Sequence, residues 1–316
     1  MKGSKPYHII LAEPLDPAAV ACLEAVGQVN VLDDSAPDTL LRAVSDADAL
    51  LVRSKAHVTA RIIDSAPRLK VIGRASSNID HIDLRAAKRR NISIVYAPHV
   101  AVASTAEYTL ALIMLLTRRI TFYDSQLREG KFDTLRTPWG REMGRQTVGL
   151  LGIDPIAEQL AQLLTNAFKS PLIYHDPTDK TPTTFSAQSV TLDELLAASD
   201  VISVHLPLLP TTRGLLNADR LVKMKPTAFL VNTSRGPVID TVALATALKK
   251  RHLAGAALDV FEAEPLPAGH PLRTAPNCIL TPHIAGATLD ASTARFQVAE
   301  DVVRVLKGEP PQFSAE

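Results

Sequence analysis

Short apolar runs alternate with segments of helical spacing along most of the chain. Ile9-Ile10-Leu11, Val29-Asn30-Val31-Leu32, Ala49-Leu50-Leu51-Val52, Val71-Ile72 and Ile92-Ser93-Ile94-Val95 read as buried strands. Between them, Ala18 to Val26 and Thr39 to Val44 have helical spacing. Strands that alternate with helices imply right-handed βαβ units and a parallel sheet. From Ala103 to Arg118 the chain is apolar almost all the way round. That helix is expected to be buried on every side, as an interdomain or dimer contact would do. Past a loop around Trp139 the alternation restarts, at Thr147 to Gly152, Leu172 to His175, Val201 to Val204, Ala228 to Val231, Gly255 to Leu258 and Cys278 to Leu280. These make a second α/β unit of six strands. A final helix near Asp290 to Leu306 is expected to return to the first unit. The pattern predicts two doubly wound parallel-sheet domains, residues 1–101 with 290–316, and residues 102–289.

Length agrees with that division, since 316 residues are about two domains of ~150. Charge narrows the partners. Thirty-four Lys and Arg face 33 acidic residues with no block of one sign, which argues against nucleic acid or a membrane surface as the main partner. The two cysteines, Cys22 and Cys278, supply neither a disulfide scaffold nor a cysteine-based metal site. Met1 to Lys5 lead straight into a strand-like run with no signal-peptide pattern, and the run Leu110 to Leu116 is too short to span a bilayer. A cytoplasmic location is the expectation.

Candidate chemistry gathers at predicted strand ends, where open α/β sheets place their ligands. Thr147-Val148-Gly149-Leu150-Leu151-Gly152 runs into Ile153-Asp154-Pro155-Ile156-Ala157 and a helical pattern, and Asp176 ends the next strand. A dinucleotide turn belongs at such a strand–turn–helix, with an acid about 20 residues on for the ribose hydroxyls. An acid there favours NAD over NADP, because it repels a 2′-phosphate. The glycines are incomplete, with Gly152 first, Asp154 second and Ala157 third. An ordinary turn with Asp154 as N-cap and Pro155 as first helical residue reads equally well. Three other strands run into Asn232-Thr233-Ser234-Arg235-Gly236, Asp259-Val260-Phe261-Glu262-Ala263-Glu264 and Thr281-Pro282-His283-Ile284-Ala285-Gly286. A guanidinium can grip a carboxylate, an imidazole can move a proton, and a carboxylate can orient the imidazole and raise its pKa. Each residue alone also has an ordinary structural reading.

The segments GRASSNIDHIDLRAA, LPLLPTTRGLLN, VNTSRGPVID, AGAALDVFEAEPLP and LTPHIAGAT together resemble the D-isomer-specific 2-hydroxyacid dehydrogenases, in their phosphoglycerate dehydrogenase-like branch. The resemblance implies a flavodoxin-like substrate domain, a larger Rossmann NAD-binding domain, a homodimer, and hydride transfer between NAD(H) and a 2-hydroxy or 2-oxo acid. It makes Arg235 the carboxylate anchor, His283 the general acid/base and Glu264 its partner. Asp259 would sit near the nicotinamide, Thr233 and Ser234 would line that side, and Asp176 would take the ribose. Gly152, Asp154, Pro155, Ile156, Leu206 and Gly286, with Arg235 and His283, complete the implied cofactor contacts. Arg53, Ser76, Ser77, Asn78 and Arg235 would meet the substrate. Lys55, beside Arg53, offers a further cation for a phosphate or phosphonate, or is simply a solvated surface residue.

Departures from the family pattern cluster on ligand-contacting backbone. Asp154-Pro155 stands where the family has glycine and usually arginine, Ser76-Ser77-Asn78 where it has Gly-x-Gly, Ala101 where it has Asn, and Ala285 where it has Gly. An aspartate N-cap would put its own carboxylate where a pyrophosphate binds. Two function classes therefore stand open: an active NAD-dependent dehydrogenase, and a redox-silent relative that senses NAD or another ligand and acts through protein contacts.

Overall fold

The computed structural model describes residues 6–53, 55–76, 79–132 and 140–315, with Ala294 as backbone alone. Met1 to Lys5, Ser77, Asn78 and Trp139, on which expectations above rest, lie outside the described residues. Contacts divide the chain into two units, Met1–Ala101 with Ala287–Glu316, and Val102–Gly286.

The first unit begins with β1 (Tyr7–Leu11), α1 (Pro17–Glu24), β2 (Gly27–Val31), α2 (Pro37–Ala43), β3 (Ala49–Val52), α3 (Ala60–Asp64), β4 (Val71–Arg74), α4 (Leu84–Arg89) and β5 (Ser93–Tyr96). These strands pair in parallel in the order β2-β1-β3-β4-β5. That is the flavodoxin-like order, and its switch point lies between β1 and β3. Ile9, Leu11, Leu51, Val71 and Val95 face one covering layer. Ile10, Leu50, Val52, Ile72 and Ile94 face the other. Two covered faces explain why the runs are apolar without alternation. β2 departs from the expectation of a buried strand: it lies at the edge, and Val31 is 50% exposed.

The second unit comprises α5 (Val102–Thr117), α6 (Ile120–Arg128), β6 (Val148–Leu151), α7 (Pro155–Phe168), β7 (Leu172–His175), β8 (Gln188–Ser189), α8 (Leu192–Ala198), β9 (Val201–Val204), α9 (Ala218–Leu221), β10 (Phe229–Asn232), α10 (Thr241–Lys249), β11 (Gly255–Leu258) and β12 (Cys278–Leu280). The sheet order is β12-β11-β10-β9-β6-β7-β8, with a switch point between β6 and β9. It is the Rossmann order, extended by one strand. Seven strands replace the expected six, because β8 is two polar residues long and leaves no apolar run to read. Helix α5 is not covered all round within its own unit. Thr105, Thr109, Leu112, Ile113 and Leu116 are buried, but Ala103, Glu107 and Ala111, at four-residue spacing, lie exposed on the opposite side. Its own unit covers one face only.

The chain then returns to the first unit through α11 (Leu289–Ala294), α12 (Phe296–Leu306) and β13 (Ser314–Ala315), which joins β5 antiparallel. The single helix expected here is two, divided at Arg295. Helix α12 lies over α1 and β4, with Val298, Ala299 and Val302 buried. It comes so close to the sheet that a Cβ on Gly73 would lie 2.9 Å from Val302 and 3.0 Å from Val298. Among the described residues, no helix is long and apolar enough to cross a membrane.

The close approach of α12 is testable. Gly73→Ala should lower stability by about 1–3 kcal/mol through overpacking, read as a lower urea midpoint with an unchanged slope. Gly269→Ala, whose added methyl meets no atom within 4 Å, should leave the midpoint unchanged or slightly raised. Equal effects at the two sites would mean that α12 does not press on β4.

Candidate active site

Parallel register brings the strand ends of the second unit into line. Leu151 pairs with His175 and with Val204, Asn232 with Val204 and Leu258, and Leu258 with Leu280. The next residues along each strand, Gly152, Asp176, His205, Thr233, Asp259 and Thr281, therefore emerge at one edge of the sheet. Residues far apart in sequence become neighbours by strand pairing alone.

The loops past β10, β11 and β12 are fixed by local polar contacts. Asn232 is wholly buried; its side-chain oxygen accepts from the Ser234 amide and hydroxyl (3.0 and 2.9 Å), and its amide donates to the Arg235 carbonyl at 3.0 Å. Thr233 meets Thr109 of α5 through their hydroxyls at 2.8 Å. Gly236 follows because a Cβ there would lie 2.0 Å from the Phe261 carbonyl, so the Arg235 loop is laid directly on the loop past β11.

Asp259 has no exposed surface, and its two oxygens hold the loop past β12. One accepts from the Thr281 hydroxyl at 2.6 Å and the Ile284 amide at 3.0 Å; the other accepts from the Ala285 amide at 2.8 Å. The His283 amide donates to the Asp259 carbonyl at 2.9 Å. The loop so held turns His283 to φ +56, a left-handed conformation that a non-glycine residue adopts only when its surroundings impose it.

The His283 ring then meets Glu264, with Nδ1 2.7 Å from Oε2. The other Glu264 oxygen accepts from the Phe261 amide at 3.0 Å. The hydrogen bond to Glu264 holds the imidazole pKa above its ordinary value, against partial burial; the charges of Glu264 and Asp259 also raise it, and that of Arg235 lowers it. Burial pushes the Glu264 carboxyl up, but the bonds from His283 and Phe261 outweigh it and the net shift is down. The proton of this pair thus resides on the imidazole, with Nε2 left to face a reactant.

At the turn past β6, Gly152 adopts φ +97, and a Cβ there would lie 2.8 Å from the His205 carbonyl. The turn admits only glycine. Asp154 is the N-cap of α7, accepting from the Ala157 amide at 2.7 Å, and Pro155 is the first helical residue. The buried carboxylate of Asp176 accepts from the Ile153 amide at 2.8 Å, the Thr178 amide at 2.8 Å and the Thr178 hydroxyl at 2.6 Å. Burial raises its pKa, but these bonds and the Lys180 charge bring it below the ordinary carboxylate range.

Of the expected site residues, those in the second unit all follow or immediately adjoin its strand ends. In the first unit, Arg53 follows β3 and Ser76 stands two residues past β4. Ala101 holds φ +61, a conformation that the family's Asn takes more readily. Sequence reasoning missed His205, which is 2% exposed, bonded to Ser203 through Nε2 at 2.8 Å, and 3.5 Å from Asp154 through Nδ1. It missed Thr281 as well. Both share the signal used for the others, a polar residue directly after an apolar strand.

The family profile described as "D-isomer specific 2-hydroxyacid dehydrogenase, NAD binding domain" matches residues 110–285. The chain is 42% identical to a glyoxylate reductase of Thermofilum pendens over 281 residues, 87% of this chain and 83% of that protein. It is 38% identical to a D-3-phosphoglycerate dehydrogenase of Mycobacterium tuberculosis over 95% of this chain but 57% of that protein, so it spans just over half of that relative. The crystal structure of the TT0316 protein of Thermus thermophilus superimposes with a TM-score of 0.89 at 35% identity, over 98% of this chain and 100% of the other.

The histidine–carboxylate pair can be checked without any ligand. In NMR titrations of histidine rings, His283 should titrate above the ordinary value of about 6.5, and Glu264→Gln should bring it down toward that value. An unmoved His283 titration would show that the pair is not formed in solution.

Proposed function

The chain belongs to the D-isomer-specific 2-hydroxyacid dehydrogenases, and on that premise we propose that it transfers a hydride between NAD(H) and a 2-hydroxy or 2-oxo acid, with His283 and Glu264 as its acid/base pair and Arg235 as its carboxylate anchor. The observation that carries this reading is the 2.7 Å His283–Glu264 contact, built by a left-handed residue within reach of the Arg235 charge. A redox-silent relative has no use for it.

A dinucleotide fits the residues at the sheet edge. The glycine-only turn at Gly152 leaves room for its backbone, and the buried carboxylate of Asp176 at the next strand end would accept from its ribose hydroxyls. Gly152, Asp154, Pro155 and Ile156 would line the pyrophosphate site, with the Asp154 carboxylate weakening its hold, Asp176 would take the ribose, and Leu206, Thr233, Ser234, Arg235, His283 and Gly286 would line the nicotinamide side. Asp259, wholly enclosed, acts through the His283 loop. The chemistry a bound nicotinamide supplies is hydride transfer; the other steps belong to this chain's side chains. Arg235 grips the substrate carboxylate in two prongs and draws electron density from the neighbouring carbonyl. His283 gives the Nε2 proton to the forming alkoxide in reduction, and takes it back in oxidation. Glu264 orients the ring and stabilises the imidazolium. Residues 102–289 serve as the NAD-binding domain, and residues 1–101 with 290–316, carrying Arg53 and Ser76, as the substrate domain. The enzyme is proposed to be a cytoplasmic homodimer, its subunits meeting at the exposed side of α5 and at α6, which buries no residue of its own and exposes Ile120 and Leu127.

Loss of NADH absorbance with a panel of 2-oxo acids, each run across pH, tests the reaction. Because the His283 pKa is raised, reduction should persist at neutral pH and fade as pH rises through the shifted value, while oxidation strengthens. His283→Ala should reduce turnover at least about 100-fold with NADH affinity nearly unchanged. No reduction of any 2-oxo acid by a protein that binds NADH would overturn the dehydrogenase reading. Asp154→Gly, which frees the Ala157 amide and removes a carboxylate from the helix start, should tighten NADH binding about two- to fivefold by titration. An unchanged constant would mean that the pyrophosphate already avoids Asp154.

A further inference from the structure

Helix α5 carries buried hydroxyls that its own packing does not call for. Thr105, Thr109 and Thr117 are 7%, 0% and 1% exposed, in the company of Ala106, Leu112, Ile113 and Leu116. Threonine is a poor helix former and its hydroxyl costs free energy to bury, so alanine or leucine would suit that face better. Thr117 uses its hydroxyl within α5, donating to the Ile113 carbonyl at 2.9 Å. Thr109 donates likewise to the Thr105 carbonyl at 2.7 Å, but its oxygen also lies 2.8 Å from the Thr233 hydroxyl, past β10.

The direction of that second contact follows from counting protons. A hydroxyl has one proton to give and two lone pairs to receive. A carbonyl oxygen only accepts, so the Thr109 proton is committed to Thr105. The proton between Thr109 and Thr233 therefore comes from Thr233. Ser234 is fixed in the same way. Its backbone amide donates to the Asn232 side-chain oxygen at 3.0 Å, which identifies that atom as an acceptor. The Ser234 hydroxyl, 2.9 Å from the same oxygen, must then donate to it. Both hydroxyls of the loop past β10 have given their protons inward, while Thr233 and Ser234 keep 9% and 8% of their surface open. What these hydroxyls offer a ligand is lone pairs alone.

A nicotinamide ring carries one group that can answer lone pairs. Its carboxamide has an NH2 that donates and an oxygen that only accepts. An acceptor-only rim attracts the nitrogen and repels the oxygen.

We propose that Thr109, wholly buried in α5, is a positioning residue of the cofactor site. By taking the Thr233 proton it makes Thr233 an acceptor for the carboxamide nitrogen, and so decides which way round the carboxamide lies. The assignment rests on the dinucleotide reading given above and extends it to a residue beyond the sheet edge.

Calorimetric titration of the full chain with NADH and with its reduced 3-acetylpyridine analogue tests it. The analogue has a methyl group in place of the carboxamide NH2 and so brings no donor. Wild type should bind NADH about 3- to 10-fold more tightly than the analogue, the range of one net hydrogen bond. Thr109→Val frees the Thr233 proton, which then opposes the donor of NADH but can be given to the acetyl oxygen of the analogue. The preference should fall to within about twofold, through weaker NADH binding. Thr109→Ser, which keeps the hydroxyl, should hold the wild-type preference. Thr233→Val should lose it, and adding Thr109→Val to Thr233→Val should change it no further, since Thr109 acts through Thr233. Thr117→Val, which removes the hydroxyl that α5 uses internally, should leave the preference as in wild type.

Equal weakening of both nucleotides by Thr109→Val would reduce Thr109 to packing and overturn the proposal. A Thr109→Val protein with the wild-type preference, or a wild type that binds both nucleotides alike, would overturn it too. All three leave the dinucleotide reading in place. If Thr109→Val does not fold by circular dichroism, Thr109→Ala, which adds no bulk, carries the same test. A wild type that binds neither nucleotide overturns the dinucleotide reading itself, and the proposal with it.

Discussion

The Asp259 carboxylate is where the second sheet and its chemistry are joined. A buried carboxylate without partners would cost several kcal/mol or lose its charge. Here a hydroxyl and two amides converge on it, all from the loop past β12. Charge-assisted bonds of this kind contribute about 1.5–3 kcal/mol each. Together they exceed the roughly 1–3 kcal/mol that a left-handed non-glycine residue costs. The loop can thus hold His283 at φ +56, and that backbone turn is what carries the ring to Glu264. Gly236 supplies the matching constraint on the neighbouring loop, since only a residue without Cβ lets the Arg235 segment lie on the Phe261 backbone. Position of the three reactive groups follows from one satisfied charge and one missing methyl.

The turn past β6 shows the opposite arrangement. A helix start normally leaves amides free, which is why it binds phosphates. In this chain Asp154 satisfies the Ala157 amide from within, which stabilises α7 and leaves a ligand fewer donors. His205 sits behind it, buried, and burial holds its pKa down despite the Asp154 charge. A neutral ring there does not cancel the aspartate. Asp176, by contrast, stitches the turn past β6 to the turn past β7 through Ile153 and Thr178, so the acid of the ribose end is also a structural tie.

In the first unit, close packing and one unpaired donor stand side by side. Its core is continuous on both faces of the sheet, and α12 closes tightly on Gly73. Yet one turn earlier the same helix buries an arginine nitrogen without an acceptor.

The apolar pattern by itself determined both parallel sheets, because strands covered on two faces leave unbroken hydrophobic runs that a periodicity reading detects. It also brought the segments that carry Arg235, Asp259, Glu264 and His283 to one edge, because in a parallel sheet the residues after each such run must emerge there; the family resemblance then singled out these four. It did not reveal β8 or β13, each two residues long, nor the exposed edge of β2. Strands that short, and edges, are set by pairing with a neighbour and not by their own composition. Nor did it show that Asp259 is spent on holding a loop, or that Asp154 faces a buried histidine. Hydrophobic period reports which positions leave water. Which donor reaches which carboxylate depends on distances between segments far apart in the chain, and only the packed tertiary structure decides those.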